Sequence, residues 1–386
     1  HHKRLSDISN QIQFLFRMFM KSPLFLIVIA CYLFSGCKTD NDIKEITLEE
    51  ISSDIQLFPV KYHEPMKDIL LYLDYEECGF LLSNDFQTIY RMEGDTITSV
   101  LEKTGRGRGE YQGIHTFTYS SVDSLLYVVD NNSKIYIYKG RDYKFIKHIN
   151  DLPRILAINS IGKNKLLIAA AILENNVDER YGLYILNTET EELSERMLAM
   201  NYTGTVFHNF TNYNPCDSSI YFSIADHDIN RIYRYADNML NTELEFSYPK
   251  EMRIPKRVIV NDPDNLNELL TFNNYIKEYE FCIGAGYPIS LDKGKRLAFW
   301  SFPKANDNIL NIVSSGKIEK YHVIIPGMKG YIKPECAANN HYFLLYQHIS
   351  KDERLSNIDK SDLSEKIVQL YENNNGNPVI LKFDLK

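Results

Sequence analysis

One short phrase recurs along the chain, and it limits the fold more than any other feature. Leu125 to Asp130 (LLYVVD) reads as a strand ending in a turn-forming Asp, Asn131 to Ser133 make the turn, and Lys134 to Tyr138 (KIYIY) begin the next strand. The phrase returns as Ile220 to Asp226 (IYFSIAD) followed by Arg231 to Tyr235 (RIYRY). It returns again as Phe80 to Leu82, the turn Ser83-Asn84-Asp85 and Thr88 to Met92 (TIYRM), and more loosely as Gly182 to Asn187 (GLYILN). Aligned on the apolar residue before the central Tyr, the copies fall at Ile89, Ile135, Leu183 and Ile232, at intervals of 46, 48 and 49. Ile309 to Val313 (ILNIV) and Val379 to Phe383 (VILKF) fit the phrase less closely, after intervals near 77 and 71.

Each of the two longer intervals holds a helical pattern. Asp262-Pro263 places a cap before Pro at the first helical position, ahead of Leu266, Leu269, Leu270 and Ile276. Ser361 likewise precedes Leu363, Ile367, Leu370 and Tyr371. Six units, each the size of a four-stranded blade, predict an all-β fold: a six-bladed β-propeller with short helical insertions in the later blades. A lone blade cannot bury both faces, so repeats of this kind must stack on one another. A pair of β-sandwich domains is the alternative, but the even spacing and the absence of a linker-like change in composition argue against it. The 27 Tyr and 20 Phe, against one Trp, also favour strands.

The first forty residues read as an address. Leu24 to Phe34 (LFLIVIACYLF) is an uninterrupted apolar run of 11 residues. A spanning helix needs about 20 such residues, whereas the hydrophobic region of a secretory signal peptide takes about 7–15. Met20-Lys21, with Met18 as a second start, supplies the opening of such a peptide. Phe34-Ser35-Gly36-Cys37 follows, and it resembles the lipobox of bacterial lipoproteins, in which small residues precede a cysteine that is lipidated and becomes the mature N-terminus. Phe34 stands where Leu is usual. The resemblance implies lipidation at Cys37 and partnership with a lipid bilayer in the cell envelope, the outer membrane being favoured, with the folded domain outside the cytoplasm. The expected divisions are a spurious upstream extension (1–19), a lipoprotein signal peptide (20–36), a tether (37–50) and the propeller (51–386).

Charge excludes one class of partner. Lys plus Arg is 43 and Asp plus Glu is 51, a net of −8. A chain starting at Cys37 carries −11, because the leader takes four basic residues and one acidic residue with it. Nucleic acid is not the expected partner, since phosphate binding needs a concentrated cationic surface.

Gly105 to Tyr111 (GRGRGEY) resembles the Gly-x-Gly-x-Gly-Glu-Tyr/Phe phrase that opens a blade in six-bladed propeller lipoproteins of bacteria, a family of unknown function with relatives among NHL and TolB-like propellers. Arg108 departs from the Pro common there, and the phrase is clear in only one blade. A dinucleotide fingerprint needs a third glycine where Glu110 stands, and a helix where a β-pattern follows. The glycines instead suggest a tight inter-blade connection needing positive φ. Arg106 and Arg108 on that loop are expected to face the channel mouth and recognise an acidic group, with Glu110 beside them.

Other motifs are weaker. Ser83 to Tyr90 partly matches the Asp-box turn of sialidase-type propellers, a turn-stabilising element. Asp226-His227-Asp228, with His208 upstream, would need convergent ligands from other blades to hold a metal. Cys78, Cys216, Cys282 and Cys336 have no metal-ligand spacing, and no bridge among them is assigned. No catalytic signature occurs, so no catalytic residue, metal ligand or cofactor is assigned. The ligand-binding candidates are Arg106, Arg108, Glu110, His208 and His227. The expected function is that of a membrane-anchored, non-catalytic propeller binding a ligand or an envelope protein. The alternatives are a propeller hydrolase or lactonase with a metal in its channel, and a structural subunit of an envelope complex.

Overall fold

A computed structural model describes residues 43–75, 77–171, 181–194, 197–200, 206–207, 219–225, 229–247, 285–304, 307–347 and 361–386, together with 267, 270 and 271. Cys37, His208, His227, Cys216 and Cys282 lie outside the described residues. So does most of the helix expected after Asp262, although Asn267, Leu270 and Thr271 are helical.

Lys44–Thr47 (β1) and Ser52–Pro59 (β2) come first in the chain but belong to its last two sheets. The first blade is the meander Ile69–Asp74 (β3), Gly79–Ser83 (β4), Thr88–Glu93 (β5) and Thr96–Glu102 (β6). The second is Ile114–Ser120 (β7), Leu125–Asp130 (β8), Ile135–Lys139 (β9) and Lys144–Ile149 (β10). The third is Arg154–Gly162 (β11), Lys165–Ala171 (β12), Tyr181–Asn187 (β13) and Leu198–Met200 (β14). Val206–Phe207 (β15), Ile220–Ala225 (β16), Ile229–Ala236 (β17) and Met239–Ser247 (β18) make the fourth. The fifth holds Ala285–Leu291 (β19), Arg296–Lys304 (β20), Asp307–Ser314 (β21) and Lys317–Ile324 (β22), with β1 added in parallel outside β22. The sixth is Cys336–Ala338 (β23), His341–Tyr346 (β24) and Val379–Leu385 (β25), completed on its outside by β2.

The recurring phrase occupies the same place in every blade. Its six copies are β5, β9, β13, β17, β21 and β25, the third strand of each sheet. The aligned residues Ile89, Ile135, Leu183 and Ile232 are all fully buried. These strands are apolar on both faces because each blade is covered on both sides. Successive side chains on a strand point to opposite faces. Thus Phe80 and Leu82 pack with Phe117 and Val128 of the second blade, while Leu81 between them packs with Phe343 and Ile380 of the sixth. Val129, one residue beyond Val128, joins Ile168 of the third. Leu167 and Phe222 meet between the third and fourth blades, Ile232 and Phe299 between the fourth and fifth, and Trp300 and Tyr342 between the fifth and sixth. Every blade–blade interface therefore holds a buried cluster, and the ring is closed.

Closure joins the two ends of the chain. β2 pairs antiparallel with β25 from Ser52↔Leu385 to Pro59↔Val379. Side chains then fasten the segment after β2 to the last blade. Asn374 Nδ2 donates to Val60 O (2.8 Å), and Asn377 Oδ1 accepts from Met66 N (2.9 Å). Gln347 Oε1 accepts from Ile69 N (2.7 Å). Leu48–Ile51 (α1) is a single helical turn whose Thr47–Glu50 capping box satisfies its free N–H groups. Its Leu48 and Ile51 fill the interface of blades five and six. The insertion expected at Ser361 is Asp362–Asn373 (α2), capped by Ser361 and anchored in the same interface by Ile367. Cys78 and Cys336 are buried free thiols.

A chain beginning after Pro59 lacks the strand that completes the sixth blade and leaves β25 as an open edge. Such a chain is expected to lose its cooperative thermal transition in circular dichroism and to elute as aggregates from a sizing column.

Candidate functional site

In each meander, the turn between the second and third strands emerges on the same face as the connection from the fourth strand to the next blade. On that face residues 103–113, which link β6 to β7, lie against the β8–β9 turn at 131–134 and enclose a cavity of about 510 Å³. That volume falls within the usual range for a small-molecule site, about 300–1,000 Å³.

The GRGRGEY segment builds the first wall. Glu110 folds its carboxylate back into the loop, where Oε2 accepts a hydrogen bond from Gly107 N at 2.7 Å. A Cβ at Gly105 would lie 2.0 Å from that oxygen, and one at Gly107 would lie 2.9 Å from the carboxyl carbon, so the glycines make room for the carboxylate. Positive φ, expected for the whole run, is confined among these three to Gly109 (+77°), where a Cβ would also meet Phe145 Cγ at 2.5 Å. Tyr111 is fully buried beneath the loop; its hydroxyl donates to Gln87 O (2.8 Å) and accepts from Lys103 N (3.2 Å). Gln87 belongs to the Asp-box-like turn, in which Asp85 Oδ1 accepts from Gln87 N (3.1 Å) and Ser83 Oγ from Thr88 N (3.0 Å). Glycine, Glu110 and Tyr111 thus hold the loop, and Arg106 and Arg108 are left exposed on it.

The second wall comes from blade two. Asp130 is buried, and its Oδ1 accepts from Asn132 N (2.8 Å) and Lys134 N (3.0 Å). The Tyr136 hydroxyl reaches Oδ2 at 3.4 Å; burial, and then the neighbouring Asp130 charge, push its pKa up to about 12. Lys134 Nζ lies 5.8 Å from the Tyr136 ring centroid, and the exposed His148 ring lies 6.0 Å from it.

Charge sets the character of this pocket. Both of its carboxylates, Glu110 and Asp130, are already hydrogen-bonded to backbone N–H groups. Arg106 and Arg108 have no ion pair among the described residues, and Lys134 and His148 add further donors. The space is therefore cationic within a chain of net charge −8. Guanidinium groups favour planar, bidentate recognition of carboxylate or phosphate.

Arg106, Arg108 and Glu110 do come together, but not at the channel mouth. The blade-two residues of the pocket lie at the end of its second strand, in the turn that follows and on its third and fourth strands, with none on the innermost strand β7, so the site sits away from the axis. Lys134, Tyr136 and His148 carried no signal in the sequence, because only the fold brings them beside the arginines. The inner strands are tied to one another instead. Tyr75 Oη accepts from Tyr119 N (2.9 Å) and lies 3.3 Å from Thr118 Oγ1, which accepts from Ser160 N (3.2 Å). Among the described residues no group of three or more His, Cys, Asp or Glu side chains is placed to hold a metal ion.

The family described as 6-bladed beta-propeller matches residues 86–282, just over half of the chain. The chain belongs to that family. A solved structure from Bacteroides fragilis NCTC 9343, described as a candidate exported protein, is 14% identical. It covers 89% of this chain and 99% of its own, with a TM-score of 0.59, and at that identity the likeness is one of fold. A TolB candidate from Agrobacterium tumefaciens is 13% identical over 70% of this chain and 88% of its own, with a TM-score of 0.40. No curated protein is similar in sequence.

Replacing Gly109 by Ala forces a side chain into positive φ and against Phe145, at a cost of about 1–3 kcal/mol or more. The unfolding free energy of Gly109→Ala from urea titration is expected to fall accordingly, whereas that of Arg106→Ala is expected to stay within about 0.5 kcal/mol of the parent.

Proposed function

We propose that this protein is a non-catalytic propeller, tethered to a bacterial membrane through lipidated Cys37, that binds an acidic group of a ligand or partner protein in the pocket of Arg106 and Arg108. One observation carries the binding role: four cationic or donor side chains face a cavity whose own carboxylates are occupied by the backbone. An incoming carboxylate or phosphate meets donors without displacing an existing ion pair. The rigid scaffold beneath, fastened by Tyr111 and Glu110, keeps the loop in place before the ligand arrives, which lowers the entropy lost on binding. The leader and its lipobox-like Ser35-Gly36-Cys37 support the tether. Stable anchoring by lipid takes more than one acyl chain.

Citrate and inorganic phosphate are suitable probes of the pocket. At a concentration near 100 times the dissociation constant, a bound probe is expected to stabilise the fold by about 2.7 kcal/mol, visible as a rise in Tm. The double variant Arg106→Ala/Arg108→Ala is expected to bind at least about tenfold more weakly, a loss of about 1.4 kcal/mol. Equal affinity in parent and variant excludes the site. For the tether, the Cys37→Ser chain expressed in bacteria is expected to leave the detergent phase on Triton X-114 partition and to lose incorporation of labelled palmitate. Retention of both in that variant excludes lipidation at Cys37.

A further inference from the structure

Four of the innermost strands share an irregularity near their start. In β3 the register jumps between Ile69↔Ser83 and Leu71↔Leu82, which leaves Leu70 without a partner across the ladder. In β7 it jumps between Ile114↔Asp130 and Thr116↔Val129, which leaves out His115. In β11 it jumps between Ile155↔Ala170 and Ala157↔Ala169, which leaves out Leu156. In β19 the pairs Gly286↔Trp300 and Ile289↔Ala298 set Tyr287 and Pro288 together opposite Phe299. A β-bulge of this kind re-aims a side chain, and its recurrence at one place marks a built feature.

In blades one to three the residue ahead of the bulge is fixed. Ile69, Ile114 and Ile155 are buried, and the preceding blade holds each of their N–H groups. Ile69 N donates to Gln347 Oε1 (2.7 Å), Ile114 N to Phe86 O (2.7 Å) and Ile155 N to Ser133 Oγ (2.8 Å). The bulged residue is left outside the packing: Leu70 is 42% exposed, His115 is exposed and Leu156 is half-buried. β3, β7 and β11 each end their sheet on the axial side, so Leu70, His115 and Leu156 follow one another along an arc of the channel mouth.

That arc combines two chemistries. Arg154, the exposed first residue of β11, lies near His115. The His115 ring is within hydrogen-bonding reach of the Ile155 and Leu156 backbone, and burial, then the Arg154 charge, lower its pKa. Arg154 has neither a hydrogen bond nor an ion pair among the described residues, and none of their carboxylates pairs with His115. Adjacent cationic and donor groups thus stand between two leucines with no anion to answer them. A neutral apolar ligand would dehydrate those donors without giving them an acceptor, and a small hydrophilic anion would leave both leucines in water. A carboxylate at the end of an aliphatic chain answers both.

We infer that the channel mouth of blades one to three binds an aliphatic carboxylate, its charge on Arg154 and His115 and its chain over Leu70 and Leu156. The site shares no residue with the pocket of Arg106 and Arg108 and does not depend on that reading.

The test uses the folded protein, thermal denaturation and titration calorimetry. A fatty acid and the C-terminus of an apolar peptide share the required chemistry, so octanoate and N-acetyl-Leu-Leu are both titrated, and the tighter of the two identifies the source. At least one of them is expected to raise Tm. Acetate, which lacks the chain, and octylammonium, which has the wrong charge, are each expected to bind at least about tenfold more weakly. Arg154→Gln and, independently, Leu70→Ser are expected to weaken the better probe by a similar factor, while Arg106→Ala/Arg108→Ala leaves it unchanged. The inference is overturned if neither probe shifts Tm, if acetate or octylammonium binds as tightly, if both channel variants retain the parent affinity, or if the Arg106→Ala/Arg108→Ala variant loses it.

Discussion

The structure depends on one exchange of side chains repeated around a circle. In each blade the strand residues alternate between two neighbours, so Leu81 faces backward to the sixth blade while Phe80 and Leu82 face forward to the second. A sheet with two apolar faces has no stable existence alone, and it becomes stable only when both neighbours are present. That requirement turns an open series of sheets into a ring and makes the β2–β25 pairing its keystone. The polar fasteners at the seam, Asn374, Asn377 and Gln347, all reach across from the last blade to backbone groups at 60–69. They spend side-chain hydrogen bonds on joining chain ends, where no turn does that task.

The fold was legible because the constraint is periodic. A residue that must be apolar on both faces and third from the axis recurs whenever a blade recurs, and the spacing of Ile89, Ile135, Leu183 and Ile232 records it directly. Ser361 was legible too, because a helix cap announces itself within four residues. The closing strand was not: residues 52–59 carry no mark of a partner more than three hundred positions away. The glycine run is an inter-blade connection, as its composition suggests, but backbone freedom is only part of the reason. Backbone conformation explains Gly109, whereas Gly105 and Gly107 are small because the Glu110 carboxylate occupies the space beside them.

The same limit separates the two pockets. Arg106 and Arg108 stood out because they interrupt a glycine phrase, and the structure adds Lys134, Tyr136 and His148 by folding a neighbouring blade against them. Nothing comparable marks Asp74 of the first blade and His341 and Lys382 of the sixth, which line a second cavity of about 250 Å³ where those blades meet. Each is unremarkable in its own strand, and their meeting is a product of ring closure alone. Sites formed between the first and last repeats of a closed array are for this reason the least visible to a local reading of sequence.

The short stretch ahead of the closing strand has a mechanical consequence. β1 lies outside β22 on the perimeter of the fifth blade, and the single turn α1 then crosses to the sixth, with Leu48 and Ile51 wedged between the two sheets. Tension applied to the chain upstream of Lys44 would peel a four-residue parallel strand and a two-residue apolar plug before it reached the β2–β25 ladder. A pull from that side would thus reach the ring at its circumference, through a sacrificial clasp.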